Sequence, residues 1–209
     1  MNERVRFYLD QQKSPRIDDV FHVNQALNSA QSKFIEDRVD NIKDTLKRGK
    51  AYYFEAVERV KSELYTLVVS TAPIAPQPGN LVLLPADFYY ELNLSLTINS
   101  EQWWSTPKTH NEFQELARNA FSEPSIEYPV HLRAANGLTV YFGGSGTFNN
   151  STLTYLKQAV NIDVVAPYVN CILPNASHEE ICEGAAHIIA GTYGDWRKSQ
   201  VIKQEKDSN

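Results

Sequence analysis

Apolar residues from Val20 onward fall at Val23, Ala26, Leu27, Ala30, Phe34, Ile35, Val39, Ile42 and Leu46. Steps of three and four dominate, so these positions share one face of a helix. Gln25, Gln31, Lys33, Glu36, Asp37, Asp40 and Lys43 lie between them and predict a solvated face. Asp18 or Asp19 suits the N-cap, and Gly49 after Lys47 and Arg48 suits the stop. A shorter helical pattern follows at Phe54, Val57, Val60, Leu64 and Leu67. Two such helices joined by a short glycine-containing turn predict an antiparallel pair.

Residues 71–79 hold three prolines and a glycine, which end the helical pattern in an extended linker. Leu94, Leu96 and Ile98 then alternate with Ser95, Thr97 and Asn99, the period of a strand. Asn136-Gly137 between apolar runs predicts a hairpin with a type I′ turn, since both central residues need positive φ. Residues 152–157 alternate again, and Phe113, Leu116, Ala117 and Phe121 predict a short helix over 110–121. Ser177-His178-Glu179-Glu180 fits a capping box. The helix it opens has Ile181, Ala185, Ile188, Ile189, Thr192 and Trp196 on one face. Gly184, Gly191 and Gly194 weaken this helix and predict a break or kink near 191–194, and residues 203–209 read as a frayed tail. The predicted fold class is α+β. Residues 1–70 and 175–209 form a discontinuous antiparallel helical bundle, and an antiparallel β lobe is inserted over 71–174.

Composition narrows the class. Of the 209 residues 42% are hydrophobic, enough for one large domain or two small ones. No apolar run approaches the ~18 residues of a membrane span, and no secretory signal is read at the N-terminus. Two cysteines, Cys171 and Cys182, are too few for a disulfide framework. A net charge of −5 argues against a protein that coats duplex DNA. The charge is uneven: residues 1–50 carry a net +2, residues 51–194 a net −8 and residues 195–209 a net +1.

Candidate chemistry is sparse. His178, Glu179 and Cys182 stand at the spacing of a helical zinc motif, with His187 or Cys171 as a third ligand. That set would make a zinc hydrolase. The competing reading, in which His178 and Glu179 are first-turn polar residues and Cys182 a small core residue, is the better one, so no metal, cofactor or catalytic residue is expected. Gly143-Gly144-Ser145-Gly146 lacks the Lys-Ser/Thr of a phosphate loop and predicts a hairpin loop. The histidines at 22, 110, 131, 178 and 187 show no sequence pairing with a nucleophile. Adjacent aromatics, above all Trp103 and Trp104, suit protein contacts. Trp196, Arg197, Lys198, Val201 and Ile202 form a second candidate contact beyond the glycine break.

Several segments, in order, carry a resemblance. The helix from Val23 to Arg38, the run from Phe54 to Val69, Leu84-Pro85-Ala86-Asp87-Phe88-Tyr89, and Pro124 with Tyr128-Pro129 and the Asn-Gly turn are four of them. Leu153-Thr154-Tyr155-Leu156-Lys157 and Leu173-Pro174 followed by His178-Glu179-Glu180-Ile181 complete the set. The chain resembles the head–tail connector, adaptor or ring, proteins of short-tailed bacteriophages. It is most similar to those of the tail tubular protein A kind and of crAss-like phages. The pattern departs at Gln158-Ala159-Val160, where the family often has a proline after the strand. The resemblance implies a non-enzymatic virion protein at the head–tail junction, assembled in the host cytoplasm. It implies a homo-oligomeric ring of about twelve copies closed by head-to-tail contacts. The implied partners are the portal protein, adjacent tail or ring proteins, and genomic DNA that passes without sequence-specific binding; no membrane is implied. A small acidic protein-binding module is the remaining alternative.

Overall fold

Val23, Leu27, Phe34, Val39 and Ile42 are all buried, as their helical spacing requires. They lie on α1 (Val20–Leu46), which is followed by α2 (Lys50–Glu63). This computed structural model describes residues 3–5, 20–46, 50–119, 122–165 and 167–207; the proposed caps at Asp18 or Asp19 and the stop at Gly49 lie outside them. The chain divides into two compact units, residues 1–67 with 159–209, and residues 68–158.

In the first unit α1 packs against α2 and against α4 (Asn175–Asp207). Ile181, Cys182, Ala185, Ala186 and Ile189 are the buried stripe of α4. Gly184 permits close approach: a Cβ there would lie 3.4 Å from the Ala30 Cβ. The predicted break is absent, and α4 runs without interruption to Asp207, through much of the expected tail. Ser177 is not its cap. The Ser177 N–H donates to the Pro174 carbonyl at 2.9 Å, inside the first turn. The Glu180 carboxylate turns away and accepts two bonds from the Arg38 guanidinium at 3.0 and 2.8 Å. Arg38 Nε also donates to Glu63 at 3.1 Å, so one cation ties α1, α2 and α4.

The second unit is a curled half-barrel of seven strands. They are β1 (Val68–Ser70), β2 (Leu81–Leu83), β3 (Phe88–Ile98), β4 (Glu101–Lys108), β5 (Val130–Arg133), β6 (Gly137–Tyr141) and β7 (Phe148–Lys157). Their spatial order is β1-β7-β3-β4-β5-β6-β2. This overturns the predicted fold class of a helical bundle with an antiparallel β lobe inserted in it. The sheet is mixed, because β4 and β5 run parallel. Antiparallel neighbours can be joined by a short hairpin, whereas a parallel pair needs a crossover. The segment carrying α3 (His110–Arg118) is that crossover. The core is also dominated by strands: among the described residues, seven of the twelve largest fully buried side chains are Leu92, Leu94, Leu96, Ile98, Leu138, Leu153 and Leu156, all in the sheet.

Turn chemistry differs from expectation as well. One positive-φ pair is Asn99 (52°) and Ser100 (68°), which close β3 onto β4 with a two-residue loop. Both central φ values are positive, as the type I′ hairpin demands. Asn136 and Gly137 are not among the positive-φ residues, so no type I′ turn forms there. Gly137 is needed for another reason: a Cβ would overlap the Val82 carbonyl of the neighbouring strand. The glycine-rich run at 143–146 is no hairpin loop, since the β6 and β7 it joins are not neighbours. The short helix is opened by Thr109, whose hydroxyl accepts from the Glu112 N–H while the Glu112 carboxylate accepts from the Thr109 N–H. This capping box was not recognised in the sequence.

Candidate functional site

The residues proposed as zinc ligands do not converge. His178 Nε2 contacts the Leu173 carbonyl at 2.9 Å. Cys182 is fully buried, and burial pushes its thiol up, which disfavours the thiolate a metal would bind. Cys171 is held by its own bond, donating to Gln31 Oε1 at 3.3 Å. His187 lies on the exposed side of α4, 3.9 Å from Glu183. No group of three His, Cys, Asp or Glu able to hold a metal occurs among the described residues. No helix among them is long and apolar enough to cross a membrane.

The concave side of the half-barrel holds a polar cluster that sequence spacing did not reveal. Ser105 of β4 and His131 of β5 meet at 2.7 Å, Oγ to Nδ1. His131 Nε2 lies 2.6 Å from the Glu91 carboxylate of β3. That contact lacks hydrogen-bond geometry. With the hydroxyl donating to Nδ1, the Nε2–H faces the carboxylate. These are the residue types of a hydrolytic triad. Yet His131 is 1% exposed and Ser105 7%, so a substrate has no approach to the hydroxyl. The cluster acts as a tie across three strands. Beside it the Tyr155 hydroxyl donates to Asp87 at 2.8 Å. Burial, helped by that carboxylate, pushes the phenol up to about 12.

The opposite face of β7, β3 and β4 has a different character. The pairing register sets Thr152, Ser95 and Trp104 in one cross-strand row, and Asn150, Thr97 and Gln102 in the next. Asn93 and Thr154 begin a third row. None of these side chains is ionisable. Trp104 is 53% exposed, and the Gln102 amide donates to Ser95 Oγ at 2.7 Å beside it. On the same face of β6 the Phe113 ring of α3 sits 4.3 Å from that of Tyr141. Trp103 points the other way and packs against the sheet core. The structure therefore separates the two adjacent tryptophans. The side chains of Trp196, Arg197, Lys198, Val201 and Ile202 lie outside the described residues, although α4 passes through these positions.

In the helical unit an amide row on α1 binds an extended segment. Asn28 Oδ1 accepts from the Ile162 N–H at 2.7 Å, and Asn28 Nδ2 donates to the Ile162 carbonyl at 3.0 Å. Asn24 accepts from the Val164 N–H at 3.0 Å and donates to Asp163 at 2.8 Å. Gln31 donates to the Val160 carbonyl at 3.1 Å. Asn24, Asn28 and Gln31 sit at i, i+4 and i+7, one stripe of the helix. Gln31, expected on the solvated face, is thus buried. The helical spacing was visible in the sequence, but the segment that fills the stripe was not.

Large apolar side chains are exposed on both units. Phe21, Tyr52, Tyr65 and Tyr168 are exposed on the first, Leu83, Trp104 and Tyr128 on the second. No protein-family model matches this sequence, and no curated protein matches it.

Proposed function

We propose that the chain is a structural subunit of a head–tail connector ring in a short-tailed phage virion. The observation that carries the reading, beside the ordered resemblance, is the exposure of large apolar side chains on two unlike units. A ring contact is heterologous: one surface of each copy meets a different surface of the next. Exposed aromatics are the residues such contacts favour. In this reading about twelve copies close beneath the portal. Trp196, Arg197, Lys198, Val201 and Ile202 provide a contact toward the portal or the next ring. The net −8 of residues 51–194 suits a channel through which DNA slides without sticking.

The test is native mass measurement and electron microscopy of the purified protein, alone and mixed with portal. A closed ring, alone or on the portal, is the expected result. A protein that stays monomeric or dimeric at every concentration and leaves the portal bare overturns the reading in favour of a small binding module.

A further inference from the structure

We propose that the uncharged sheet face around Trp104 is a binding platform for a neutral polysaccharide. This goes beyond the connector reading and does not depend on it.

The argument begins with what the face lacks. Charged residues make up 22% of the chain, and solvent-facing positions of a half-covered sheet are where they normally go. Across the two rows of β7, β3 and β4 and the start of the third there are none. The side chains are hydroxyls and amides, which both donate and accept; Ser95 is itself buried, bonded by the Gln102 amide. Gln102 has one N–H committed to Ser95. Its amide inventory still includes a second N–H and an acceptor oxygen.

Trp104 adds the second half of the chemistry. Its indole stands 53% exposed in the middle strand row, flanked by Thr97 and Gln102 on the next. A pyranose ring has an apolar C–H face and a rim of hydroxyls. The indole suits the first, and the Thr, Asn and Gln side chains suit the second. On these rows a phosphate chain or acidic peptide would find no cation; Lys108, further along the same face of β4, lies 3.9 Å from Glu112. A hydrophobic peptide would find one anchor and a field of polar groups that it could not satisfy.

Shape is consistent with a chain in place of a single sugar. Three strands at about 4.8 Å spacing give a row about 10 Å across, room for a short run of rings, with Gln102 and Trp104 exposed on its β4 side. The platform is also preorganised, since β3 is paired on both edges and the Asn99-Ser100 turn fixes β4 against it.

The experiment uses the full chain and four neutral polysaccharides: β-glucan, mannan, xylan and dextran, with alginate as the acidic comparison. Binding is read by retardation in affinity gels and by the shift in tryptophan emission. At least one neutral polymer binds and alginate does not. Trp104→Ala weakens that binding about tenfold or more. Trp104→Tyr restores part of it, which separates lost stacking from lost folding. Tyr65→Ala, in the helical unit, leaves it unchanged. The proposal is overturned if no neutral polymer binds, if Trp104→Ala binds like the parent, or if alginate binds as well as the neutral polymers. Native mass of Trp104→Ala is measured in parallel. Lost sugar binding with an unchanged assembly supports the platform. A changed assembly without any sugar binding in the parent assigns the face to a protein contact instead.

Discussion

Glu91 and His131 show how much one buried contact constrains a sheet. Their side chains are 13% and 2% exposed, and each belongs to a different strand. Removing one partner strands the other in a dry setting, which costs several kcal/mol, whereas replacing both with apolar groups is often neutral. His131→Leu is therefore expected to lose about 3 kcal/mol in urea unfolding. Adding Glu91→Leu should recover most of that loss. Simple additivity of the two single changes would show that the pair is not coupled. The individual residues were readable in the sequence; their meeting was not. Glu91, Ser105 and His131 are spread over forty residues, and only the strand order β3-β4-β5 makes them neighbours. Gln31 failed for a related reason. A glutamine on the polar flank of a helix reads as solvated until a backbone carbonyl, here that of Val160, arrives to bury it.

At the scale of elements, helices were the most legible. Their period is local, and α1 and α2 begin and end near where apolar spacing placed them. Strands β3 and β7 were visible by alternation for the same reason. β4 was not recognised: Trp103, Trp104 and Pro107 obscure its period, so its hairpin with β3 and its crossover to β5 were both lost. The segment 160–164 carries no regular element at all, yet it is fixed by side chains of α1. Asn28 satisfies both the N–H and the carbonyl of Ile162. Asn28→Ala leaves two backbone groups without partners and should cost about 2 kcal/mol. Hydrogen exchange at Ile162 should rise more than exchange in the sheet unit. Equal acceleration everywhere would mean that the row does not hold the segment locally.

At the scale of the whole molecule, the sheet has the larger share of the core, contrary to the helical bundle inferred from the ends. The reason is distance along the chain. β1 pairs with β7 through Val68 and Leu156, and β3 with β7 through Leu94 and Leu153. Alternation says that a strand exists, not which strand lies beside it. The half-barrel draws all its strands from the continuous segment 68–158 and has a buried apolar cluster of its own. Expressed alone, residues 68–158 are expected to unfold in one cooperative transition with β-type circular dichroism. A gradual, non-cooperative melt would show that the sheet depends on the helices.

The discontinuity of the helical unit sets a timetable for synthesis. α1 and α2 leave the ribosome before the seven strands, and α4 follows them. At ~5–20 residues per second, the intervening stretch of on the order of 100 residues keeps them waiting for roughly 5–20 s. During that interval the apolar stripe of α1 has no α4 to cover it, and until residues 160–164 are made the amides of Asn24 and Asn28 have no segment to hold. The half-barrel, whose strands are all made before α4, can close while the helices wait. A nascent chain of this design presents chaperones with the same helical face for the whole delay, and the arrival of α4 ends the exposure.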